Sequence, residues 1–232
     1  MLDPDPEAEQ PYRRSRWRGP CFRDRADAGR RLAAAIPPER VRPDVVVAPS
    51  RSSVPVARAV ADEFGVSLEV IIVRCISPPG DATMPIAAVT EDGTEWLDEA
   101  RAPRFTAAAE YLRRELARER RAARQEAVRV RGDRDSMDPA GRSVLVVTDG
   151  IDYPASVAAV IRQLRAGGAR EVTVGTPVVA PDCRDEVRAL ADDLYPVVEP
   201  ALFVTLEQFY GARDEGSGPV VAPAAQEPVR PR

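Results

Sequence analysis

The sequence has 232 residues, and none of them is histidine, lysine or asparagine. Without histidine, His-dependent catalytic triads, histidine general bases and histidine metal sites are all excluded. Without lysine, Schiff-base chemistry and the phosphate-binding lysine of a P-loop are excluded as well. Arginine therefore supplies every basic side chain, and we attribute this bias to a GC-rich genome rather than to function.

Cysteine is also scarce, since Cys21, Cys75 and Cys183 are far apart in the sequence and form no CxxC pair. An odd, scattered set of this kind is typical of reduced thiols in a cytosolic protein. A catalytic cysteine would lack its usual histidine partner, so we do not expect any of the three to act as a nucleophile.

Excess positive charge and long apolar runs are absent too. The formal net charge is −4 and the pI is about 5.2, which argues against a nucleic-acid or membrane-surface partner. No apolar run approaches the length of a bilayer span, and the acidic, proline-bearing start does not resemble a signal peptide. We therefore expect a cytoplasmic protein.

The most informative stretch begins with Ser143–Val147, an apolar, β-branched run typical of a strand buried on both faces. A polar turn follows, and Pro154 then opens a segment with helical apolar spacing that ends at Gly167. The run 171–179 is again rich in strand-forming residues. This strand-loop-helix-strand order predicts a βαβ unit, whose first loop is the usual place for an anionic ligand.

An earlier part of the chain repeats this organisation. Asp44–Ala48 reads as a buried strand, Pro49–Ser53 as a loop, Val54–Phe64 as a helix and Leu68–Val73 as the next strand. The alternation predicts an α/β fold with one doubly wound parallel sheet flanked by helices. We place this domain at residues 21–213, between disordered tails at 1–20 and 214–232.

Two features fall between these units. Asp92-Gly93 is a turn signal for a hairpin between Met84 and Leu97. Residues 105–128 form the longest helical pattern, with an apolar stripe at Ala108, Leu112 and Leu116 among arginines and glutamates. We expect a solvated amphipathic helix there, with a lid or a dimer contact as the alternatives.

Four motifs occur in an order that resembles the type I phosphoribosyltransferases, and most closely their stand-alone bacterial and archaeal branch, whose substrate is mostly unassigned. They are Phe22-x-Asp24-Arg25-x-x-Ala28-Gly29, then Ser50-Arg51-Ser52-Ser53-Val54-Pro55-Val56-Ala57, then Val73-Arg74, then Thr148-Asp149-Gly150. The resemblance covers about Cys21 to Tyr210. It implies a parallel sheet with a small hood, built from about 75–105 and 196–212, and a reaction in which a base displaces pyrophosphate from phosphoribosyl pyrophosphate (PRPP) with Mg²⁺.

The family's PRPP motif is only partly matched. Asp149 and Gly150 correspond to its second acid and its glycine, whereas Thr148 replaces the first acid. In the family the acids hold the ribose hydroxyls, and loop amides at the helix N-terminus hold the 5′-phosphate. Here Ser156 can supply the hydroxyl of the motif's last threonine. Pro154 replaces a glycine and removes one amide donor, which leaves the amides of 155–157.

The pyrophosphate loop is also altered. Arg51 is retained, and a guanidinium suits a pair of phosphate oxygens. The two glycines that normally follow it are Ser52 and Ser53, which would restrict a close approach of the backbone to a ligand. The family's later Arg-Lys pair is Arg74-Cys75, so one cation is missing.

These correspondences give the candidate site. Asp149 and Arg51 are the candidate catalytic residues, and Mg²⁺ is expected to arrive on the ligand, with Asp149 the one candidate protein contact. The candidate substrate-binding residues are Ser52, Ser53, Arg74, Thr148, Gly150, Asp152, Tyr153, Ala155, Ser156 and Val157.

Several of these residues have simpler interpretations. Asp149 could cap a turn, Arg51 could form a surface salt bridge, and Asp152 could be the N-cap of the following helix. Tyr153 could stack on a base or merely cover the loop.

Two functions follow from the resemblance. One is a Mg²⁺-dependent phosphoribosyltransferase acting on an unidentified base or other acceptor. The other is a catalytically silent relative that binds PRPP, a nucleotide or phosphate as a sensor or partner subunit, which the losses at Thr148 and Pro154 favour. A third hypothesis is a structural module that dimerises through residues 105–128. The resemblance also implies a small-molecule substrate and allows a homodimer.

Overall fold

A computed structural model of the chain describes residues 21–81, 83–99, 108–132 and 135–211. The expected tails at 1–20 and 214–232, and the first residues of the expected long helix, lie outside these ranges. The strands are β1 (Val45–Ala48), β2 (Ser67–Val70), β3 (Val73–Ile76), β4 (Ala87–Thr90), β5 (Glu95–Leu97), β6 (Ser143–Val147), β7 (Glu171–Val178) and β8 (Asp193–Val198). The helices are α1 (Arg25–Ala35), α2 (Val54–Phe64), α3 (Ala108–Arg131), α4 (Ala155–Ala166) and α5 (Pro181–Leu190), followed by a 3-10 helix at Leu206–Phe209.

The central sheet contains five strands in the order β2-β1-β6-β7-β8, and every pair in it is parallel. Alternate residues of each strand point to opposite faces. Val46 and Leu145 pack with α1 and α2 on one face, whereas Val45 and Val144 pack with α4 and α5 on the other. All four side chains are fully buried, so the predicted doubly wound parallel sheet is confirmed.

A second, antiparallel sheet of β3, β4 and β5 forms the hood together with α3. Its β4–β5 connection is the hairpin that Asp92-Gly93 predicts, and Gly93 has a φ of 99° that favours glycine. Ala88 and Trp96 face α4, whereas Ile86 and Val89 face α3. The hood sheet therefore lies between the two helices.

The single strand predicted at Leu68–Val73 is wrong, because the chain changes sheets within it. Residues 67–70 pair with β1, and residues 73–76 pair with β4. At the crossing, the Ile71 amide still bonds the Ala48 carbonyl at 3.0 Å, but the Ile72 amide bonds the Glu91 carboxylate at 3.0 Å. The sequence does not show this change, because Val70–Val73 is apolar throughout.

The helices named above belong to the part of the chain that the structure describes. None of them is long and apolar enough to cross a membrane.

Candidate functional site

The candidate site lies where β1 and β6 are neighbours at the middle of the sheet. Strand order reverses at this point, and the loops after the two strands turn to helices on opposite faces, which is where open α/β sheets bind ligands. The two loops meet through hydrogen bonds. The Ser53 hydroxyl is 3.0 Å from Asp149 Oδ1, the Ser52 hydroxyl is 3.4 Å from it, and the Asp149 amide donates to Ser53 Oγ at 3.3 Å.

The loop after β1 is organised by its own serines. Ser50 Oγ lies 2.9 Å from Ser52 Oγ and 2.8 Å from Ser53 Oγ, and it accepts the Ser53 amide at 3.2 Å. The serines that replace the family's glycines thus form a hydroxyl network that ends on Asp149. Arg51 is exposed within this loop and makes no ion pair with the described residues, so its guanidinium is available to an anion.

Asp149 is buried and is held from several sides. The Nε and Nη2 atoms of Arg25 both lie 3.1 Å from its Oδ2. The Arg25 guanidinium lies over the Tyr210 ring, 4.9 Å from its centroid, and the Tyr210 hydroxyl donates to the Asp149 main-chain oxygen. The carboxylate is therefore fully engaged by the protein, and a ribose hydroxyl could bind it only by replacing one of these partners.

Sequence reasoning did not identify Arg25 and Tyr210 as part of this site. The signal for Arg25 was its place in the Phe-x-Asp-Arg motif, which served only to support the resemblance. Arg25 and Tyr210 are 124 and 61 residues from Asp149 in sequence, so no local pattern connects them.

Thr148 and Gly150 flank this aspartate. Thr148 is 2% exposed, and its hydroxyl donates to Thr176 Oγ1 at 2.9 Å while accepting the Gly150 amide at 3.2 Å. A Cβ on Gly150 would lie 2.0 Å from Leu206 Cδ1, so a larger residue here would displace that side chain of the 3-10 helix. Thr148 thus supports the loop from inside, where the family's first acid would be expected to face a ligand.

The loop after β6 leads directly into the N-terminus of α4. Pro154 is its N-cap residue, and Ala155 and Val157 are buried. The first-turn amides at 155–157 have no acceptors within the helix, which makes this end suitable for a phosphate. The Ser156 hydroxyl is half-buried and makes no hydrogen bond with the described residues. Tyr153 is half-buried beside it.

Asp152 is the exposed carboxylate of this loop, and it accepts the Tyr153 amide at 2.9 Å. The pKa of Asp152 is raised, chiefly by desolvation and also by the charges of Asp149 and Glu207, although hydrogen bonds from the amides of Asp152 and Tyr153 act to lower it. The Cys183 thiol donates to the Asp152 carbonyl at 3.1 Å. Asp152 thus contributes negative charge at the rim of the proposed phosphate site rather than an N-cap bond to α4.

Among the described contacts, none joins Arg74 to the loops after β1 and β6. Its Nε is 2.9 Å from Glu119 Oε2 and its Nη1 is 3.5 Å from Glu126 Oε2, so it holds α3 on the hood sheet. The neighbouring Cys75 is closer to the site. Desolvation, together with the charge of Asp152, raises the pKa of its thiol to about 12, so it is protonated and unreactive near neutral pH.

The residues present do not fit a protein-bound Mg²⁺. Within the described ranges, no group of three or more acidic, cysteine or histidine side chains could hold a metal ion. Thr148 is buried and uncharged, and the Asp149 oxygens are engaged by Arg25, Ser52 and Ser53.

Comparisons with known proteins bear on this site. Residues 23–200 match the family model described as Phosphoribosyl transferase domain. Two Mycobacterium tuberculosis proteins named provisionally as phosphoribosyl transferases, MT0597 of strain CDC 1551 and Rv0571c of strain H37Rv, are each 33% identical over 193 residues, which is 82% of this chain. The chain spans 43% of the length of these relatives.

One solved structure is similar in both sequence and fold. The crystal structure of TT1426 from Thermus thermophilus is 33% identical to this chain and superposes with a TM-score of 0.69. The likeness covers 84% of this chain and 92% of that one.

Proposed function

The chain belongs to the phosphoribosyl transferase family, and we propose from this premise that it holds a phosphorylated ribose between the loops after β1 and β6 and transfers it to or from a small acceptor. PRPP is the proposed donor, and a base or simple amine is the proposed acceptor. The hood and the residues around the 3-10 helix would select the acceptor, and a homodimer stays a prediction.

The proposal is based mainly on the hydrogen bonds between Ser53 and Asp149, which join the two loops. This contact places Arg51, which makes no ion pair with the described residues, on the same sheet edge as the amide-rich start of α4. Phosphate groups at two ends of one ligand require two such anion sites.

Each element then has a proposed role. The amides at 155–157 and the Ser156 hydroxyl bind the 5′-phosphate, and Arg51 binds the pyrophosphate. As the C1–O bond breaks, its electron pair leaves with the pyrophosphate. The lone pair of the acceptor nitrogen forms the new bond to C1, and the proton that this nitrogen loses passes to the departing pyrophosphate or to water. Arg51 stabilises the leaving charge, and the loops hold the oxocarbenium-like ribose in place. Tyr153 covers the ribose.

Magnesium has a limited place in this proposal. Since the described side chains do not fit a protein-bound Mg²⁺, any ion would be coordinated by the pyrophosphate oxygens of the donor. No step of the proposed transfer depends on a metal held by the protein.

The test is pyrophosphate release from PRPP with a panel of purines, pyrimidines and simple amines, together with calorimetric titration of PRPP. Replacing Arg51 by glutamine is expected to weaken PRPP binding by about 10- to 150-fold, since one charged hydrogen-bonding partner contributes about 1.5–3 kcal/mol. The matched control is Arg58→Gln, which removes an exposed arginine from the outer face of α2.

Three results separate the hypotheses. Pyrophosphate release that depends on Arg51 but not on Arg58 supports the transferase. Binding without turnover for any acceptor supports the silent relative. If PRPP produces no heat, or if both arginine variants bind equally well, the proposed site is wrong.

A further inference from the structure

Asp149, which corresponds to the second acid of the PRPP motif, is surrounded by hydrogen-bond donors of the protein itself. In the Arg25–Asp149 pair, the arginine side chain is 5% exposed and the aspartate side chain 10% exposed. Two nitrogens of Arg25 are 3.1 Å from one carboxylate oxygen, and the hydroxyls of Ser53 and Ser52 are 3.0 and 3.4 Å from the other. A full positive charge therefore already neutralises Asp149.

The position before it contributes no charge. Thr148 is buried, and its hydroxyl both donates to Thr176 and accepts from Gly150. The Arg25–Asp149 contact thus pairs one carboxylate with one guanidinium. A divalent cation at Asp149 would meet a carboxylate that Arg25 already compensates.

Arg25 is fixed by the architecture. It begins α1, whose Gly29 lies so close to α2 that an added Cβ would be 2.5 Å from the Val56 carbonyl oxygen. Its guanidinium rests on Tyr210, and the Phe22 amide bonds the Phe209 carbonyl at 2.9 Å on the same side. The start of α1 and the 3-10 helix thus together hold the Arg25 guanidinium against Asp149.

We propose that Arg25 is a positioning residue that occupies the place of a cation beside Asp149, so that the site binds its phosphorylated ribose with no divalent ion on Asp149. This inference rests on the proposed function in taking a phosphorylated ribose as the ligand. The exposed Asp152, with Glu207 nearby, is the other carboxylate at this edge, and the test distinguishes it from Asp149.

The first experiment uses metal alone. Mn²⁺ is titrated into the wild-type protein and the Asp149→Asn and Asp152→Asn variants, and free Mn²⁺ is followed by electron paramagnetic resonance. We expect Asp149→Asn to match the wild type. Wild-type binding that is about tenfold or more tighter than in Asp149→Asn would overturn the inference. If Mn²⁺ binding weakens only in Asp152→Asn, the inference is supported, because the ion then binds away from the Arg25–Asp149 pair.

The second experiment uses ribose 5-phosphate, which has a single phosphate and chelates metal weakly. Calorimetric dissociation constants are compared in EDTA and in Mg²⁺. We expect wild-type values within about twofold of each other, whereas binding about tenfold weaker in EDTA contradicts the inference. If neither buffer gives heat, the proposed function of the site fails, and the Mn²⁺ titration still decides whether Arg25 excludes metal from Asp149.

A variant series separates positioning from simple support of the fold. Arg25→Lys preserves the positive charge, and we expect its ribose 5-phosphate affinity to remain independent of metal. Arg25→Gln leaves the Asp149 charge beside an anionic ligand, and we expect its affinity to become about tenfold or more stronger with Mg²⁺ than in EDTA. A folded Arg25→Gln protein, checked by circular dichroism, whose affinity does not respond to metal contradicts the role of Arg25. If that variant does not fold, the wild-type comparisons still test the inference.

Discussion

Arginine meets carboxylate in two different settings in this molecule. At the edge of the central sheet, Arg25 and Asp149 form a buried pair among fixed hydrogen-bond partners. In the hood, Arg74 forms an ion pair with Glu119, and Arg118 forms one with Glu115. The arginine side chains of these pairs are 17% and 45% exposed, respectively. The same kind of ion pair thus holds the loop after β6 in one region and attaches α3 to the hood sheet in the other.

The difference lies in what remains when one partner is removed. A buried charge that loses its partner keeps its full desolvation penalty, whereas a partly exposed charge is solvated by water. The comparison therefore predicts large, global effects at the sheet edge and smaller, local effects in the hood.

The largest effect is expected for Asp149→Ala, which removes the carboxylate that two nitrogens of the buried Arg25 guanidinium contact. We expect a loss of about 3–5 kcal/mol in the free energy of unfolding, measured by urea denaturation. Arg165→Ala is the control, because it breaks a pair with Asp192 in which both side chains are about 40% exposed. That control should change the free energy of unfolding by no more than about 1 kcal/mol. Equal losses in Asp149→Ala and Arg165→Ala would show that burial does not set the size of the effect.

A second large effect is expected at the packing of α1 against α2. In Gly29→Ala the new Cβ would lie 2.5 Å from the Val56 oxygen and 2.7 Å from the Ala59 Cβ. Overpacking costs about 1–3 kcal/mol, which outweighs the gain of about 1 kcal/mol in helix propensity. Urea denaturation should show a net loss, with Ala34→Ser on the exposed side of α1 as the control. An increase in stability would mean that the two helices can separate freely.

In the hood, Glu119→Gln should cost less and act locally. Glu119 is buried and accepts from Arg74, and a hydrogen bond between charged groups contributes about 1.5–3 kcal/mol. Hydrogen exchange should show faster amides in α3 and β3 and unchanged protection in β6. Arg121→Gln, at an exposed position of α3, is the control. Uniform loss of protection across both sheets would contradict a separable hood.

Low pH should destabilise the protein in part through Asp27 of α1. The Arg23 amide, 3.1 Å away, and the charges of Arg31, Arg23 and Arg30 lower the pKa of this carboxyl below its ordinary 3.8. A lowered folded-state pKa contributes stability above the unfolded value, and this stability is lost as pH falls through the folded value. Asp27→Asn should therefore flatten the decline in urea midpoint below about pH 4. An unchanged decline would assign it to other carboxyls.

The smallest effect concerns reactivity alone. The pKa of Cys75 is raised to about 12, and that of Cys21 is raised by desolvation but is offset in part by Arg31. Because the thiolate is the nucleophile, iodoacetamide near pH 8 should alkylate Cys21 before Cys75, as followed by peptide mass spectrometry. Faster labelling of Cys75 would show that the hood opens readily over the site.

Much of the fold could be predicted because its patterns are local. The buried runs at β1 and β6, each followed by a loop and a helix, predict the parallel sheet and the edge where the two loops meet. The change of sheets at Ile71–Ile72 could not be predicted, because both sheets require the same apolar residues there.

The site was only partly accessible to sequence reasoning. Ser52, Ser53 and Asp149 were expected near one ligand, and they lie in contact. Arg74 was expected on the same ligand, yet its guanidinium pairs with glutamates of α3 that are 45 and 52 residues away. Such long-range pairs depend on tertiary structure, and no spacing in the sequence identifies them. The ligand roles of these residues stay predictions.

The most direct test is a crystal structure of the protein with ribose 5-phosphate. We expect the phosphate to bind the amides of residues 155–157, with the Arg25–Asp149 pair still in contact and no metal ion on Asp149. A phosphate bound elsewhere, or an Asp149 carboxylate turned from Arg25 to the ribose hydroxyls or a metal ion, would contradict it.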